Sequence, residues 1–388
     1  MSGRRDLRTR LIHGGLERVE GAVVQPVFQS ATWEAEETAS YDDIRYLRLS
    51  NSPNHRDLAA RLAGICGGEA AVVAGSGMAA ITTTLLTLLE AEPGRERPHL
   101  LAQDCLYGGT LSFLTEDAPA LGIDVDFVGG DDPEEWAARA RPGTRAFLVE
   151  SLTNPLLEVA DLEAVVAFCR ERGVVSVIDN TFASPVNYRP LEAGFEVELH
   201  SATKYLNGHS DIVAGAVVST AERVRRFTHK MNHLGGVLDP HACFLLQRGL
   251  KTLVLRVEQQ NRNALFLAQR LADHPSVAAV HYPGLAGHPG HERARRWFAG
   301  SGGVLSFDVE SAGAARGLID RLELAVDAPS LGGVETLVSR PAVSSHAGQS
   351  PGRRRALGIG DGLVRVAVGI EAAEDLWADF EAALAAGS

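Results

Sequence analysis

The stretch RAFLVESLTNPLLEVADLEAVVAFCRERGVVSVID, residues 145–179, decides the fold. It opens on a short apolar run, RAFLVE (145–150), and closes on another, VVSVID (174–179). Between them DLEAVVAFCRERG reads as a helix that ends on Gly173, the residue type that terminates helices. The same rhythm extends outward, with AAVVAG at 70–75, HLLAQ at 99–103, DVDFV at 124–128, VELH at 197–200 and VAGAVV at 213–218. Strand alternating with helix predicts an α/β fold, a mainly parallel seven-stranded sheet covered on both faces. Ligands of such sheets bind beyond the strand ends, in the loops.

After about residue 245 the rhythm changes. A long helical segment, QRGLKTLVLRVEQQNRNALFLAQRLADH (247–274), precedes shorter β-like and helical pieces, which predicts a smaller α+β C-terminal domain over 246–388. Residues 1–55 lack sustained periodicity and mix turn formers with short extended pieces such as GAVVQPVFQSATW, so they read as an N-terminal arm ahead of a main domain at 56–245. A chain of 388 residues is too long for one simple core, in keeping with this division. No internal repeat is evident.

Apolar residues make up 45% and charged residues 22% of the chain, which is ordinary for a soluble globular protein. The net charge of −12 leaves no basic surplus to neutralise phosphates, which argues against nucleic acid or an acidic membrane as partner. The arginine clusters at 223–226, 293–296 and 353–355 sit among helix formers and read as solvated faces. Cys66, Cys105, Cys169 and Cys243 show no CxxC spacing, so a disulfide framework or zinc site is not expected. No apolar h-region follows MSGRRDLRTR and no run of eighteen apolar residues occurs. The expected location is the cytosol, without export or a membrane span.

The residues that carry chemistry fall at the predicted strand ends. After the first strand comes AGSGMAAI, where Gly75, Ser76 and Gly77, with Met78 behind them, open a helix whose N-terminal N–H groups suit a phosphate. Asp179 ends VVSVID, where an acid can pair with a pyridinium nitrogen. Lys204 lies in LHSATKYLNGHSDIVAGAVV (199–218), flanked by Ser201 and Thr203 and followed by apolar sequence. Burial lowers an amine's pKa and makes it a better nucleophile, the usual preparation for an imine with a carbonyl compound or with pyridoxal phosphate. One strand separates Asp179 from Lys204, so both emerge on the same sheet edge.

With these motifs the chain resembles the Cys/Met metabolism family of pyridoxal-phosphate enzymes, the relatives of cystathionine γ-synthase and γ-lyase. The resemblance is nearly full length and also runs through DCLYGGT, ESLTNPLLEVADL, VIDNTFASPVNYRPLEAG, HSATKYLNGHSD, HYPGLAGHPGHE, SLGGVETLVSRPA and VRVAVGIE. It implies the fold-type I, aspartate-aminotransferase-like architecture and a homotetramer, a dimer of dimers whose arms complete neighbouring sites. It implies that Lys204 carries the cofactor covalently and moves protons, that Asp179 pairs with the ring nitrogen and that Tyr107 stacks on the ring. Gly77, Met78, Ser201 and Thr203 would bind the phosphate, joined by Tyr46 and Arg48 from a neighbour's arm. Asn154 and Arg365 would take the substrate α-carboxylate, since a guanidinium fork matches a carboxylate. His288 and His291 lie in a loop that the family keeps without a metal, and no metal is expected.

Several substrate-side positions depart from the family pattern. Arg45 stands where an acid is usual before the arm tyrosine, and Ser112 stands where an arginine commonly follows LYGGT, so two contacts for the far end of cystathionine are absent or reversed in charge. Gly109 replaces a cysteine of methionine γ-lyases. Glu335 matches a glutamate associated with γ-chemistry, and Thr336 stands where serine is common. The implied activity is γ-elimination or γ-replacement on an L-amino acid, cystathionine γ-lyase or γ-synthase-like, within transsulfuration. The alternatives are a halide or O-acyl leaving group in a specialised pathway, and a non-catalytic pyridoxal-phosphate-binding regulator.

Overall fold

The strand–helix–strand unit forms as expected. In the computed structural model, which describes residues 5–15, 18–35 and 37–386, the Asp161 carboxylate caps Ala164 N at the head of helix Leu162–Arg172, and Gly173 ends it at φ 65°. Residues 1–4, 16, 17 and 36 of the expected arm, and 387–388, lie outside the described residues.

The unit belongs to a seven-stranded sheet of β1 (Ala70–Ala74), β2 (His99–Gln103), β3 (Asp124–Val128), β4 (Thr144–Glu150), β5 (Val175–Asp179), β6 (Val197–His200) and β7 (Gly215–Ser219). Their spatial order is β1-β7-β6-β5-β4-β2-β3. β7 runs against both its neighbours, and the other pairings are parallel. Alternate residues feed separate apolar clusters: Phe147 and Val149 of β4 enter one, with Leu58, Leu62 and Phe168, while Ala146 and Leu148 enter the other, with Leu85, Phe227 and Met231. A strand buried on both faces cannot alternate apolar with polar, which is why these segments read as continuous apolar runs.

A second, five-stranded sheet follows, with β8 (Ala279–His281), β9 (Val304–Asp308), β10 (Val326–Asp327), β11 (Leu337–Ser339) and β12 (Leu363–Ala367) in the order β10-β11-β12-β9-β8. Leu305, Phe307, Val364 and Val366 pack with Leu267 and Phe380 of the helices beside it. The single helix expected over 247–274 is in fact two, Pro240–Leu250 and Leu253–Ala272. The chain tightens at the break, where Lys251 N and Thr252 N reach back only three residues, to Arg248 O and Gly249 O. Gly249 also presses on the loop after β6: a Cβ there would stand 2.1 Å from Asn207 O.

The arm lies along the main sheet's helices. Thr32 and Tyr46 form an isolated antiparallel bridge, and Arg48 donates to Asn232 O (2.7 Å) and to the Tyr41 hydroxyl. Among the described residues no helix is long and apolar enough to cross a membrane.

Candidate active site

β1, β2, β4, β5 and β6 run in one direction, so the loops that follow them share one edge of the sheet, and a cavity of about 730 Å³ opens there. Lys204 lines it from the tight loop after β6. That loop is held from several sides. Gly208 N bonds Lys204 O at 2.8 Å, and the buried Arg256 donates to Tyr205 O at 2.9 Å. Gly332, between β10 and β11, presses on it at φ +76°, where a Cβ would lie 2.6 Å from Tyr205 N. The Lys204 Nζ donates to Ser330 Oγ at 2.8 Å. Burial, with the Arg365 charge adding to it, pulls this amine down to about 8.

Arg365 reaches the same cavity from β12. It is 6% exposed, and its Nη1 donates to Asn154 Oδ1 at 2.8 Å while Nη2 donates to Ser330 O at 3.1 Å. Ser330 therefore links the amine to the guanidinium. Burial lowers Arg365 to about 10, which leaves it a cation at neutral pH.

Asp179 lies at the end of β5, where its Oδ1 accepts the Thr181 N–H at 3.0 Å and the Thr181 hydroxyl at 2.5 Å. Behind it Glu198 Oε1 bonds His200 Nε2 at 2.8 Å and accepts from Asn180 Nδ2 at 2.9 Å, with Cys66 Sγ 3.9 Å from His200 Nε2. The Asn180–Glu198 bond ties the end of β5 to β6. Tyr107 follows β2, half exposed in the cavity wall, with its N–H donated to Glu150 Oε1 at 2.7 Å.

Ser76 caps the helix Gly77–Leu88 by accepting from Ala79 N at 3.0 Å. Gly77 and Met78 lie in the first turn, where N–H groups have no intrahelical acceptor, and both line the cavity. A Cβ at position 77 would stand 2.8 Å from Ser201 Cβ, so only glycine lets this helix close on the loop after β6. Ser201 and Thr203 line the same end. The Thr203 hydroxyl is committed to Ala214, donating to its O at 3.1 Å and accepting from its N at 2.9 Å, and must exchange the first bond to donate to a phosphate.

Other expected residues stand apart from the cavity wall. Tyr46 and Arg48 stay with the arm, and the Arg45 guanidinium stacks over Trp33 at 5.3 Å. Ser112 is exposed at the end of helix Gly108–Ser112. Glu335 is exposed and accepts from Ser210 Oγ at 3.3 Å. Thr336 is fully buried, its hydroxyl donating to Glu371 Oε2 at 2.9 Å and accepting from Gly369 N at 2.9 Å. His288 Nδ1 accepts from Gly290 N, and His291 Nδ1 bonds Pro283 O.

Sequence reasoning missed Ser330, Thr181, Glu150 and Glu198. Ser330 heads the SLGGVETL motif without an evident task of its own. Glu150 ends an apolar run as Asp179 does, and that signal was available.

The family model of the Cys/Met metabolism PLP-dependent enzymes matches residues 8–385. The chain is 41% identical over 380 residues to the cystathionine gamma-lyase of Bacillus subtilis (strain 168), covering 97% of this chain and 98% of that one. It is 39% identical over 384 residues to the cystathionine beta-lyase MetC of the same strain, covering 97% and 96%. The crystal structure of cystathionine gamma-lyase from Lactobacillus plantarum, complexed with L-serine, superposes with a TM-score of 0.91 at 32% identity, over 98% of this chain and 99% of that one. The cavity's donors fit pyridoxal phosphate: an amine of lowered basicity, a carboxylate at the end of a neighbouring strand, and a helix N-terminus closed on a serine loop where a Cβ would fill the gap.

Proposed function

Because the chain belongs to the Cys/Met metabolism PLP-dependent enzymes, we propose that it is a carbon–sulfur lyase that breaks the Cγ–S bond of sulfur-containing L-amino acids, or replaces that sulfur. The observation that carries this reading is the chain Lys204–Ser330–Arg365–Asn154, which puts an amine of pKa about 8 two bonds from a guanidinium–amide pair. Bound pyridoxal phosphate supplies an electron sink that acidifies the substrate's Cα–H and Cβ–H bonds. Arg365 and Asn154 grip the α-carboxylate and so fix where Cα stands. Lys204 would take the Cα proton on Nζ and return one further along the substrate, which an amine titrating near 8 can do at neutral pH. Ser330 Oγ orients that Nζ. Asp179 would hold a positive charge at the ring nitrogen, and the Thr181 hydroxyl, which donates to Asp179, would keep it in place. Tyr107 would cover the ring, while Gly77, Met78, Ser201 and Thr203 would take the phosphate with Tyr46 and Arg48 of a second copy. This makes residues 1–55 an exchanged arm, 56–245 the cofactor domain and 246–388 the small domain of a cytosolic homotetramer.

Cystathionine reports the position of cleavage. Attack at Cγ gives cysteine, ammonia and 2-oxobutanoate, whereas attack at Cβ gives homocysteine, ammonia and pyruvate. The purified holoenzyme should yield 2-oxobutanoate from cystathionine, homocysteine or methionine; pyruvate with homocysteine from cystathionine overturns the γ-assignment. Arg45 and Ser112 favour a second reading, a halide or acyl-oxy leaving group. O-acyl-homoserines and a γ-chloro amino acid therefore belong in the panel, and faster turnover of these than of every thioether or thiol selects it. The intact set of Lys204, Tyr107, Asn154 and Arg365 speaks for catalysis and against a regulator.

A further inference from the structure

Two carboxylates stand side by side in the cavity wall. Glu150 closes β4, Asp179 closes β5, and the parallel register pairs them. Glu150 is 3% exposed. Its Oε1 accepts the Tyr107 N–H, while its Oε2 is buried without a hydrogen-bond partner. Asp179 accepts both donors of Thr181.

Adjoining carboxylates shielded from water resist ionising together, because each anion raises the pKa of the other. Their surroundings decide which keeps the proton. Burial raises Glu150 well above the usual range, the Asp179 charge raises it further, and only the Tyr107 N–H opposes. Burial raises Asp179 too, but the Thr181 hydroxyl, the Thr181 N–H and the charge of His200 all favour its anion. An ionised Oε2 with no donor is the costliest arrangement open to the pair.

We propose that Glu150 is a positioning residue that stays protonated in the working enzyme, leaving the pair's one negative charge on Asp179 and fixing the backbone of Tyr107 with a neutral carboxyl. This rests on the reading of Asp179 as partner of the ring nitrogen. A protonated Glu150 would give the cofactor a single, definite anion to pair with, and it holds Tyr107 without adding a second charge to the cavity wall.

Infrared difference spectroscopy tests the proposal on the holoenzyme. The wild type minus Glu150→Gln should show, at neutral pH, the carbonyl band of a protonated carboxylic acid, shifted in D2O. Cofactor affinity gives an independent reading. Glutamine keeps the acceptor for Tyr107 N–H and the neutral charge, so Glu150→Gln should hold pyridoxal phosphate within about threefold of wild type and with an unchanged pH profile. Glu150→Ala should weaken it by about tenfold or more, the loss of one acceptor for a buried N–H. A carboxylate band in place of the acid band overturns the proposal, as does a tenfold loss of affinity in Glu150→Gln. If Glu150→Ala does not fold, the spectrum and the glutamine variant still decide. Neither readout involves substrate, so an error in the leaving group leaves this test intact.

Discussion

Lys204 ties local structure to a measurable pH dependence. Its folded pKa of about 8 lies below its ordinary 10.5. Below pH 8 both states are protonated, and the folded cofactor-free protein bears the full cost of a charged amine held away from water. Between about 8 and 10.5 the unfolded chain binds more protons, so stability rises with pH, and above that window the cost is gone. Lys204→Met should therefore stabilise the cofactor-free protein at pH 7 by roughly 1–2 kcal/mol, allowing for partial solvent access. Denaturant midpoints of the two proteins should converge as pH climbs through the window; a constant gap rules this account out. At position 109 a Cβ would stand 2.7 Å from Tyr107 Cε1 and 3.2 Å from Met78 Sδ. Gly109→Cys should displace the Tyr107 ring and lower kcat/KM by about tenfold, on the order of 1.4 kcal/mol, read from steady-state kinetics across the substrate panel. Lys204 and Asp179 were legible because each sits in a local motif at a strand end. Ser330 was not, because its task comes from an amine 126 residues earlier in the chain.

Among the elements, the helix Gly77–Leu88 matters through its first residue. Gly77→Ala would drive a Cβ to 2.8 Å from Ser201 Cβ and 3.0 Å from its Cα, parting the two halves of the proposed phosphate cradle. Affinity for pyridoxal phosphate should fall by roughly tenfold while affinity for phosphate-free pyridoxal changes little, because the N-terminal N–H groups serve the phosphate. Equal losses for both ligands, in parallel titrations, would point to a general packing defect. The strands and the helix 162–172 were readable from apolar runs and a terminal glycine. The break at 251–252 was not, since the periodicity of 247–274 is continuous and the interruption comes from contact with the loop after β6. There Arg256 bonds Tyr205 O and Gly249 O, a tertiary link that no local pattern announces.

For the whole molecule, seven main-sheet strands were legible but their lateral order was not, because an apolar run does not name its neighbour. The proposed exchange of the arm makes its own prediction. Mixing inactive Arg48→Ala with inactive Lys204→Ala subunits under conditions of proven subunit exchange should restore part of the activity, since some cavities then receive both intact residues. No recovery in the mixed sample excludes the shared site. The sheet order has a further consequence, which concerns synthesis. β1 lies at the edge and pairs only with β7, so residues 70–74 meet their partner only when residues 215–219 arrive. A growing chain on the ribosome thus carries Val72 and Val73 and the Gly77 helix without a strand to rest on while more than a third of the protein is still being made. The proposed phosphate cradle, whose first half is translated early, is assembled only once residues 201–219 have followed. Stalled nascent chains should keep the 53–92 region open to protease until β7 has left the exit tunnel, and lose that sensitivity once it has.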